Sequence, residues 1–341
     1  MNKKTTFDSI AAGGCGNQLQ AFVDTPKDYD AWNIDADFDK VVTNLDMVDS
    51  VQLAEHNSLR AVIRVTRHWQ ASTFVEDITL YNSSSRVDVV MDIDWHERHK
   101  LLKAAFPLAA GSPQATYEIP YGSIERPTTR NNSVEDAKFE VPALRWADLG
   151  DAQNGFSLIN ESKYAYDAKG NVLRLSLLRS PTWPDPEADQ GHQQFSYALY
   201  PHAGTWKQAL TVRQGYDFNY RLAAMQVLPH AGKLPGSFHF LDVKEDNVVV
   251  TAMKKTEDGD GLLVRFYEWA GKGGNVTLTL PPGILSASLA NLMERPEGSP
   301  LPVLGGQRVT SPVTPFEIQT VIIRYPPPGQ GFLAGIVRPL R

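Results

Sequence analysis

The run Asp185-Pro186-Glu187-Ala188-Asp189-Gln190-Gly191-His192 sets three carboxylates at alternate positions and ends on an imidazole, with Trp183 just ahead of it. Alternating acids open a calcium loop, but that loop needs glycine at its sixth position and a bidentate glutamate at its twelfth. Those positions are Gln190 and Ser196, so no calcium cage closes. Two readings remain. Either Asp185, Glu187, Asp189 and His192 form a polar rim that hydrogen-bonds sugar hydroxyls while Trp183 faces the ring C–H groups, or the run is a solvated acidic loop.

Other constellations carry less. His96-Glu97-Arg98-His99 spaces two imidazoles three residues apart, which would share a face on a helix. It lacks the His-Glu-x-x-His spacing, directly follows an alternating strand and has no third ligand at hand, so a structural or hydrogen-bonding role is expected. His56, His68, His202, His230 and His239 are scattered and read the same way. Gly13-Gly14-Cys15-Gly16 lacks the third glycine of a dinucleotide fingerprint and reads as a tight turn. Neither Ser123 nor Ser237 sits in a Gly-x-Ser-x-Gly elbow, and no Walker sequence is present. Glycosidic cleavage by the usual route needs two carboxyl groups about 5 to 9.5 Å apart. With 39 acidic residues, spacing singles out no pair.

These residues must be held by strands. In Val87–Trp95, Val87, Val89, Met91, Ile93 and Trp95 share one face and three aspartates fall on the other, the period of a half-buried strand. Similar short runs span 61–67, 74–81, 172–179, 248–254, 262–269 and 276–280, each bounded by turn formers, and none shows a sustained helical period. The sequence therefore predicts stacked antiparallel sheets, an all-β fold. Two long loops are expected on that scaffold, 181–191 with three prolines in its first six positions, and 117–132 with Pro120, Gly122 and Pro127. A boundary falls at Leu234-Pro235-Gly236-Ser237, giving domains 1–235 and 236–341. The second has about a hundred residues, enough for one small sandwich. The tail after Tyr325 opens with three prolines and should be extended.

Composition excludes several classes. With 33 basic residues against 39 acidic ones the 341-residue chain carries −6, and without a basic surplus nucleic acid is no partner. Leu101–Gly111 is the longest apolar-leaning stretch, but Lys103 and Pro107 interrupt it, and it falls far short of the roughly 20 residues that span a bilayer. No membrane segment is expected. Met1–Thr6 is basic but lacks the apolar core of a secretory signal, and the single cysteine, Cys15, can form neither an intrachain disulfide nor a Cys-based zinc site. A cytoplasmic protein is the expectation.

Several long strings resemble, in order, the C-terminal region of glycoside hydrolase family 38 α-mannosidases. They are Asp94-Trp95-His96-Glu97-Arg98-His99-Lys100-Leu101-Leu102-Lys103, Glu118-Ile119-Pro120-Tyr121-Gly122-Ser123-Ile124-Glu125-Arg126-Pro127-Thr128, and Lys138-Phe139-Glu140-Val141-Pro142-Ala143-Leu144-Arg145-Trp146-Ala147-Asp148. Then come Asn160–Asp167, Leu175–Pro181 leading into Pro184-Asp185-Pro186, Tyr197-Ala198-Leu199-Tyr200-Pro201-His202, and Arg265-Phe266-Tyr267-Glu268-Trp269. The resemblance covers nearly the whole chain.

It implies a large galactose-mutarotase-like super-sandwich followed by a small β-sandwich. In this family the enzymes are retaining, exo-acting α-mannosidases, and an N-terminal α/β barrel holds the zinc, the aspartate nucleophile and the general acid. No His-x-Asp zinc string stands near the start of this chain, so no catalytic residue and no metal ligand is carried over. Zinc is expected in the N-terminal domain and no cofactor in this chain. The expected partners are that barrel, as part of the full enzyme or separately encoded, and an α-mannoside. The resemblance also places Asp189-Gln190-Gly191-His192 on the substrate side. A surface left bare by the barrel would favour a homo-oligomer. The alternative is a free-standing sugar-binding or mutarotase-like module, with His192 and Glu125 or Asp189 as its acid and base.

Overall fold

The computed structural model describes residues 7–232 and 235–326. Met1–Thr6, Leu234 of the boundary segment and the tail beyond Pro326 lie outside them. The chain divides into two compact units, Met1–Ala223 and Ala224–Arg341.

In the first unit the strands are β1 (Gln18–Val23), β2 (Val42–Asn44), β3 (Ser50–His56), β4 (Arg60–Trp69), β5 (Ser72–Tyr81), β6 (Val87–Trp95), β7 (Lys100–Pro107), β8 (Gln114–Ile119) and β9 (Gly122–Pro127). A one-turn helix α1 (Ser133–Asp136) precedes β10 (Val141–Pro142), β11 (Trp146–Gly150), β12 (Asn154–Asn160), β13 (Ala165–Lys169), β14 (Val172–Arg179) and β15 (Gly191–Ala203), and helix α2 (Thr211–Asn219) follows. Two antiparallel sheets result. One has six strands in the order β10-β13-β14-β7-β1-β2, and the other nine in the order β3-β4-β5-β6-β15-β12-β11-β8-β9. Alternation explains the packing, because β6 buries Val89, Met91, Ile93 and Trp95 while Asp92 and Asp94 point outward. The buried row meets Leu102, Ala104 and Phe106 of β7 and Leu173 and Leu175 of β14 in a single core. The all-β expectation holds, as a double-layered sandwich.

Two local expectations differ from what folds. Residues 117–132 are not one long loop, since β8 and β9 pair from Gln114↔Pro127 to Ile119↔Gly122 around a turn at Pro120-Tyr121. Tyr121 takes a φ of 59° there, and Pro127 is accommodated because β9 is the outermost strand, where a missing N–H breaks no ladder. The second difference is α2, which escapes the periodic reading because it is only nine residues long and contains Gly215. Glycine eases the packing at that place, since a Cβ would stand 3.0 Å from Trp146 Cδ1 and press on the indole.

The outer face of the six-stranded sheet carries a fully buried lysine. Lys103 of β7 places its ammonium between Glu140 and Asp167, 2.6 Å from Asp167 Oδ2, and 4.5 Å from the centre of the Phe38 ring. Burial alone would pull its pKa down, but the two carboxylates outweigh it and hold the group above its ordinary value. Arg174 also binds Asp167, and Ser176 donates to Glu140, so the charges are shared through a network. Around it Phe22, Phe38 and Leu101 pack with Ile34 and Phe139, which fastens the segment after β1 to the sheet.

The second unit is a smaller sandwich. Its four-stranded sheet is built from Asp242–Val243, Gly274–Thr279, Arg308–Val313 and Val303–Leu304, and its five-stranded sheet from Val248–Lys255, Gly261–Glu268, Ile318–Arg324, Ser286–Ala290 and Pro296–Pro300. Val264, Phe266, Val276, Leu278, Val309, Val321 and Ile323 form its core. Buried Glu268 accepts the amides of Ala270, Gly271 and Phe316 and the side chain of Asn247, which fixes the turn leaving its strand. Within the first unit, Lys103→Met should cost about 3–5 kcal/mol in urea unfolding, because it leaves buried Glu140 without a cation and Asp167 with Arg174 alone. Adding Glu140→Gln and Asp167→Asn should recover part of that loss.

Candidate functional site

The segment between β14 and β15 is held by its two ends and by a second loop lying beside it. Arg179, the last residue of β14, supplies the first anchor. Its guanidinium pairs with both oxygens of Asp24 and donates to the carbonyls of Asp30 at 2.6 Å, Ala31 at 3.0 Å and Asn33. One side chain thereby folds the 24–33 loop over the start of the 180–190 loop. Burial pushes the Asp24 carboxyl above its ordinary pKa despite that pairing.

Asp30 returns the contact. Its Oδ2 accepts the Thr182 amide at 2.8 Å and the Trp183 amide at 3.1 Å, with the Thr182 hydroxyl at 3.4 Å. Asp30 Oδ1 lies 3.6 Å from His99 Nδ1. It is buried without a hydrogen-bond partner among the described residues. His99, at a φ of 51°, reaches Thr182 Oγ1 through Nε2 at 3.0 Å and the Asp24 carbonyl through Nδ1 at 3.2 Å. Burial raises the Asp30 carboxyl, but the two amides and the His99 imidazole outweigh it and hold its pKa below the usual carboxylate range.

This bracing sets two indoles together at the surface. Trp32 and Trp183 meet edge to face, 5.3 Å between ring centres and 70° between planes, yet remain 67% and 58% exposed. Two large apolar rings left in water beside an Asp–His–Thr cluster form a platform of the kind that stacks on an apolar ring face while polar groups address its rim. Sequence reasoning finds Trp183 but misses Trp32, Asp30 and Arg179, and it finds His99 only as half of a rejected metal pair. The sole local signal was a tryptophan set among acids in Asp28-Tyr29-Asp30-Ala31-Trp32-Asn33-Ile34-Asp35.

The other sequence-derived residues do not converge on that platform. Asp185 Oδ1 accepts the Glu187 amide at 2.9 Å, a turn within the loop, and Glu187 pairs with Arg98 at 2.6 Å in an exposed ion pair. Asp189, at a φ of 59°, accepts the Arg179 amide at 3.2 Å and so secures the loop's base. Gln190 donates to the Glu97 carbonyl at 2.7 Å and closes the far end. His192 lies on the outward face of the nine-stranded sheet, 2.9 Å from Asp92, next to the pair His96–Asp94 at 2.9 Å. Glu125 belongs to β9, four strands away from β15, roughly 19 Å at the spacing of adjacent strands. The pairing of His192 with Glu125 is therefore not assembled. His96 and His99 likewise engage different partners, and among the described residues no group of three His, Cys, Asp or Glu side chains is gathered to hold a metal ion. No helix among the described residues is long and apolar enough to cross a membrane.

The architecture is a double-layered antiparallel sandwich in the first unit and a second, small sandwich in the other. The crystal structure of an alpha-mannosidase from Enterococcus faecalis V583 shares it, with a TM-score of 0.75 and 17% identity over 89% of this chain and 38% of that one. Sequence comparison is more specific. Residues 1–187 match the glycosyl hydrolases family 38 C-terminal domain, and residues 247–321 the family's C-terminal beta sandwich domain. The chain belongs to glycosyl hydrolase family 38, in the C-terminal region of that family. Alpha-mannosidase 2C1 of Homo sapiens is 33% identical over 330 residues, covering 94% of this chain and 31% of that protein. Alpha-mannosidase G of Dictyostelium discoideum is 33% identical over 294 residues, covering 83% and 26%. The chain spans about a third of the length of the curated relatives it matches.

Asp30→Ala removes the acceptor of two loop amides. Hydrogen exchange at Thr182 and Trp183 should accelerate by the equivalent of about 1–3 kcal/mol, with strands β6 and β7 unaffected. Because the Asp30 pKa is lowered in the fold, its contribution is complete above the ordinary carboxylate value of about 3.9 and fades as pH falls through the folded value. Protection of these two amides, taken relative to their intrinsic exchange rates, should therefore fall below about pH 4 in the parent chain and be insensitive to that range in Asp30→Ala.

Proposed function

We propose that this chain is the C-terminal part of a retaining α-mannosidase, supporting a catalytic barrel that lies outside it and lining the sugar pocket with the 180–190 loop. The observation that carries this reading is the braced, exposed pair Trp32 and Trp183, since a sheet-anchored aromatic platform has no packing role inside its own unit. In this reading the indole of Trp183 faces the C–H side of a mannoside ring, Asp185 and Glu187 shape the loop tip beyond it, and Asp189 secures the loop's base, while His192 stays on the outward sheet face. The barrel supplies zinc, nucleophile and general acid, and no bond is broken by residues of this chain. The setting is a cytoplasmic pathway of mannose metabolism.

Assayed alone with an aryl α-mannoside and zinc, the chain should show no turnover, and enzyme-like rates would overturn the reading. Joined to its barrel, Trp183→Ala should raise KM several-fold with a smaller change in kcat, because a stacking platform contributes chiefly to substrate binding. An unchanged KM would remove the loop from the sugar pocket.

We further propose that the isolated chain self-associates through the edge of its larger sheet. On β3, the outermost strand of the nine-stranded sheet, Val51 and Leu53 are 64% and 66% exposed opposite Val65 and Ile63 of β4. Unpaired backbone beside apolar side chains invites edge association. The isolated chain should form a homo-oligomer that Leu53→Lys converts to monomer, as read by light scattering, and a clean monomer at high concentration in the parent would refute it.

A further inference from the structure

A separate groove lies on the outward face of the nine-stranded sheet, away from the tryptophan platform. Register builds its floor. Arg64, Asp77, Val90 and Ser196 fall in one row across β4, β5, β6 and β15, and Val62, Thr79 and Asp88 fall in the next. Asp217 and Phe218 of α2, with Arg221 just beyond it, form one wall, and Glu55 with Arg60 the other. The enclosed volume is about 570 Å³, well within the size of small-molecule sites.

Two features of this groove point to a ligand. Thr79 and Ser196 are each only 7% exposed, their side chains line the groove, and neither hydroxyl has a hydrogen-bond partner among the described residues. Both hydroxyls open onto the groove, where each is free to donate to and accept from a molecule seated there. The second feature is how the charges are paired. Arg64 reaches Asp77 through Nε and Nη2, both at 2.7 Å, and Arg86 reaches Asp88 through the same two nitrogens at 2.7 and 3.2 Å. A guanidinium has five N–H donors and a carboxylate about four acceptor sites, so each bidentate pair keeps donors and acceptors for a third party. Arg60 and Glu55 form a like pair at 2.7 Å.

The ligand's charge follows from the lining. Four guanidinium groups, of Arg60, Arg64, Arg86 and Arg221, face four carboxylates, of Glu55, Asp77, Asp88 and Asp217. An anion would gain from the first set and be repelled by the second, and a cation the reverse. A neutral chain of vicinal hydroxyls uses both, each hydroxyl donating to a carboxylate and accepting from a guanidinium, while Tyr81 meets its C–H groups. We propose that this groove is a binding site for a neutral oligosaccharide, with the Thr79 and Ser196 hydroxyls at its floor.

The groove stands on these residues alone, and only the choice of mannose as the first probe rests on the α-mannosidase reading. The test is saturation-transfer NMR and calorimetric titration of the full chain with a linear mannotriose, with maltotriose as a second neutral probe and inositol hexakisphosphate as an anionic one. Saturable binding of a neutral trisaccharide is expected. It should weaken about tenfold in the near-isosteric Thr79→Val/Ser196→Ala double variant and vanish in Ser196→Leu, with the melting temperature of the double variant unchanged. Preference for maltotriose would uphold the groove while counting against the mannosidase reading. Absence of saturable binding by either neutral probe would overturn the proposal. So would tighter binding of inositol hexakisphosphate, or binding that survives the double variant and is lost in Trp183→Ala.

Discussion

The position of everything at the 180–190 loop depends on one guanidinium. Arg179 ends a core strand, so its Cα is fixed by the sheet, and from there it gathers the Asp24 carboxylate and three backbone carbonyls of the neighbouring loop. An arginine can do this because its donors are splayed in a rigid plane, where a lysine would offer only a point charge. The carbonyls it binds belong to a loop with no ladder of its own, so their hydrogen-bonding needs are met by this side chain. Asp30 then completes the arrangement by accepting amides from the loop that Arg179 precedes. The two loops hold each other, and the tryptophans meet because both loops are tied at their bases.

Charge is used differently on the two sheets. On the six-stranded sheet Lys103 is wholly buried, and its ion pairs are shielded by Phe22, Phe38 and Phe139, so they act as a fastening whose removal is costly. On the nine-stranded sheet the pairs Arg64–Asp77 and Arg60–Glu55 are part exposed and screened, and each contributes little to stability. Their placement around a concave floor makes sense as recognition chemistry, since a half-solvated pair keeps its remaining donors and acceptors available. The same residue types therefore serve as cement on one face and as contact surface on the other, and burial decides which.

What could be read from the chain itself followed from period and from length of match. Val87–Trp95 and Val172–Arg179 declare themselves as strands, because alternate residues must enter a core and the others must not. Family membership was legible because long strings such as Lys138–Asp148 recur in order. The β8–β9 hairpin was hidden by Pro120 and Gly122, which punctuate a two-residue turn as readily as a long loop. Helix α2 was hidden by Gly215, a poor helix former whose bare Cα lies close against the Trp146 indole. The candidate site was half visible. Trp183 stands in a conspicuous proline-rich run, but its partner Trp32 is separated from it by most of the first unit, and no local pattern links residues that only the folded sheets bring together.

The tip of the 180–190 loop is built on other terms than its base. Between the Asp30 contacts at Trp183 and the Gln190 contact to Glu97, the chain is stabilised by a small internal turn at Asp185 and by the exposed pair Glu187–Arg98. Neither contact reaches the core. Residues there can change in charge, or gain and lose length, while the anchored indoles stay where they are. The apex is thus separable from the base: a change of sequence at the tip alters what surrounds the two indoles without dislodging them.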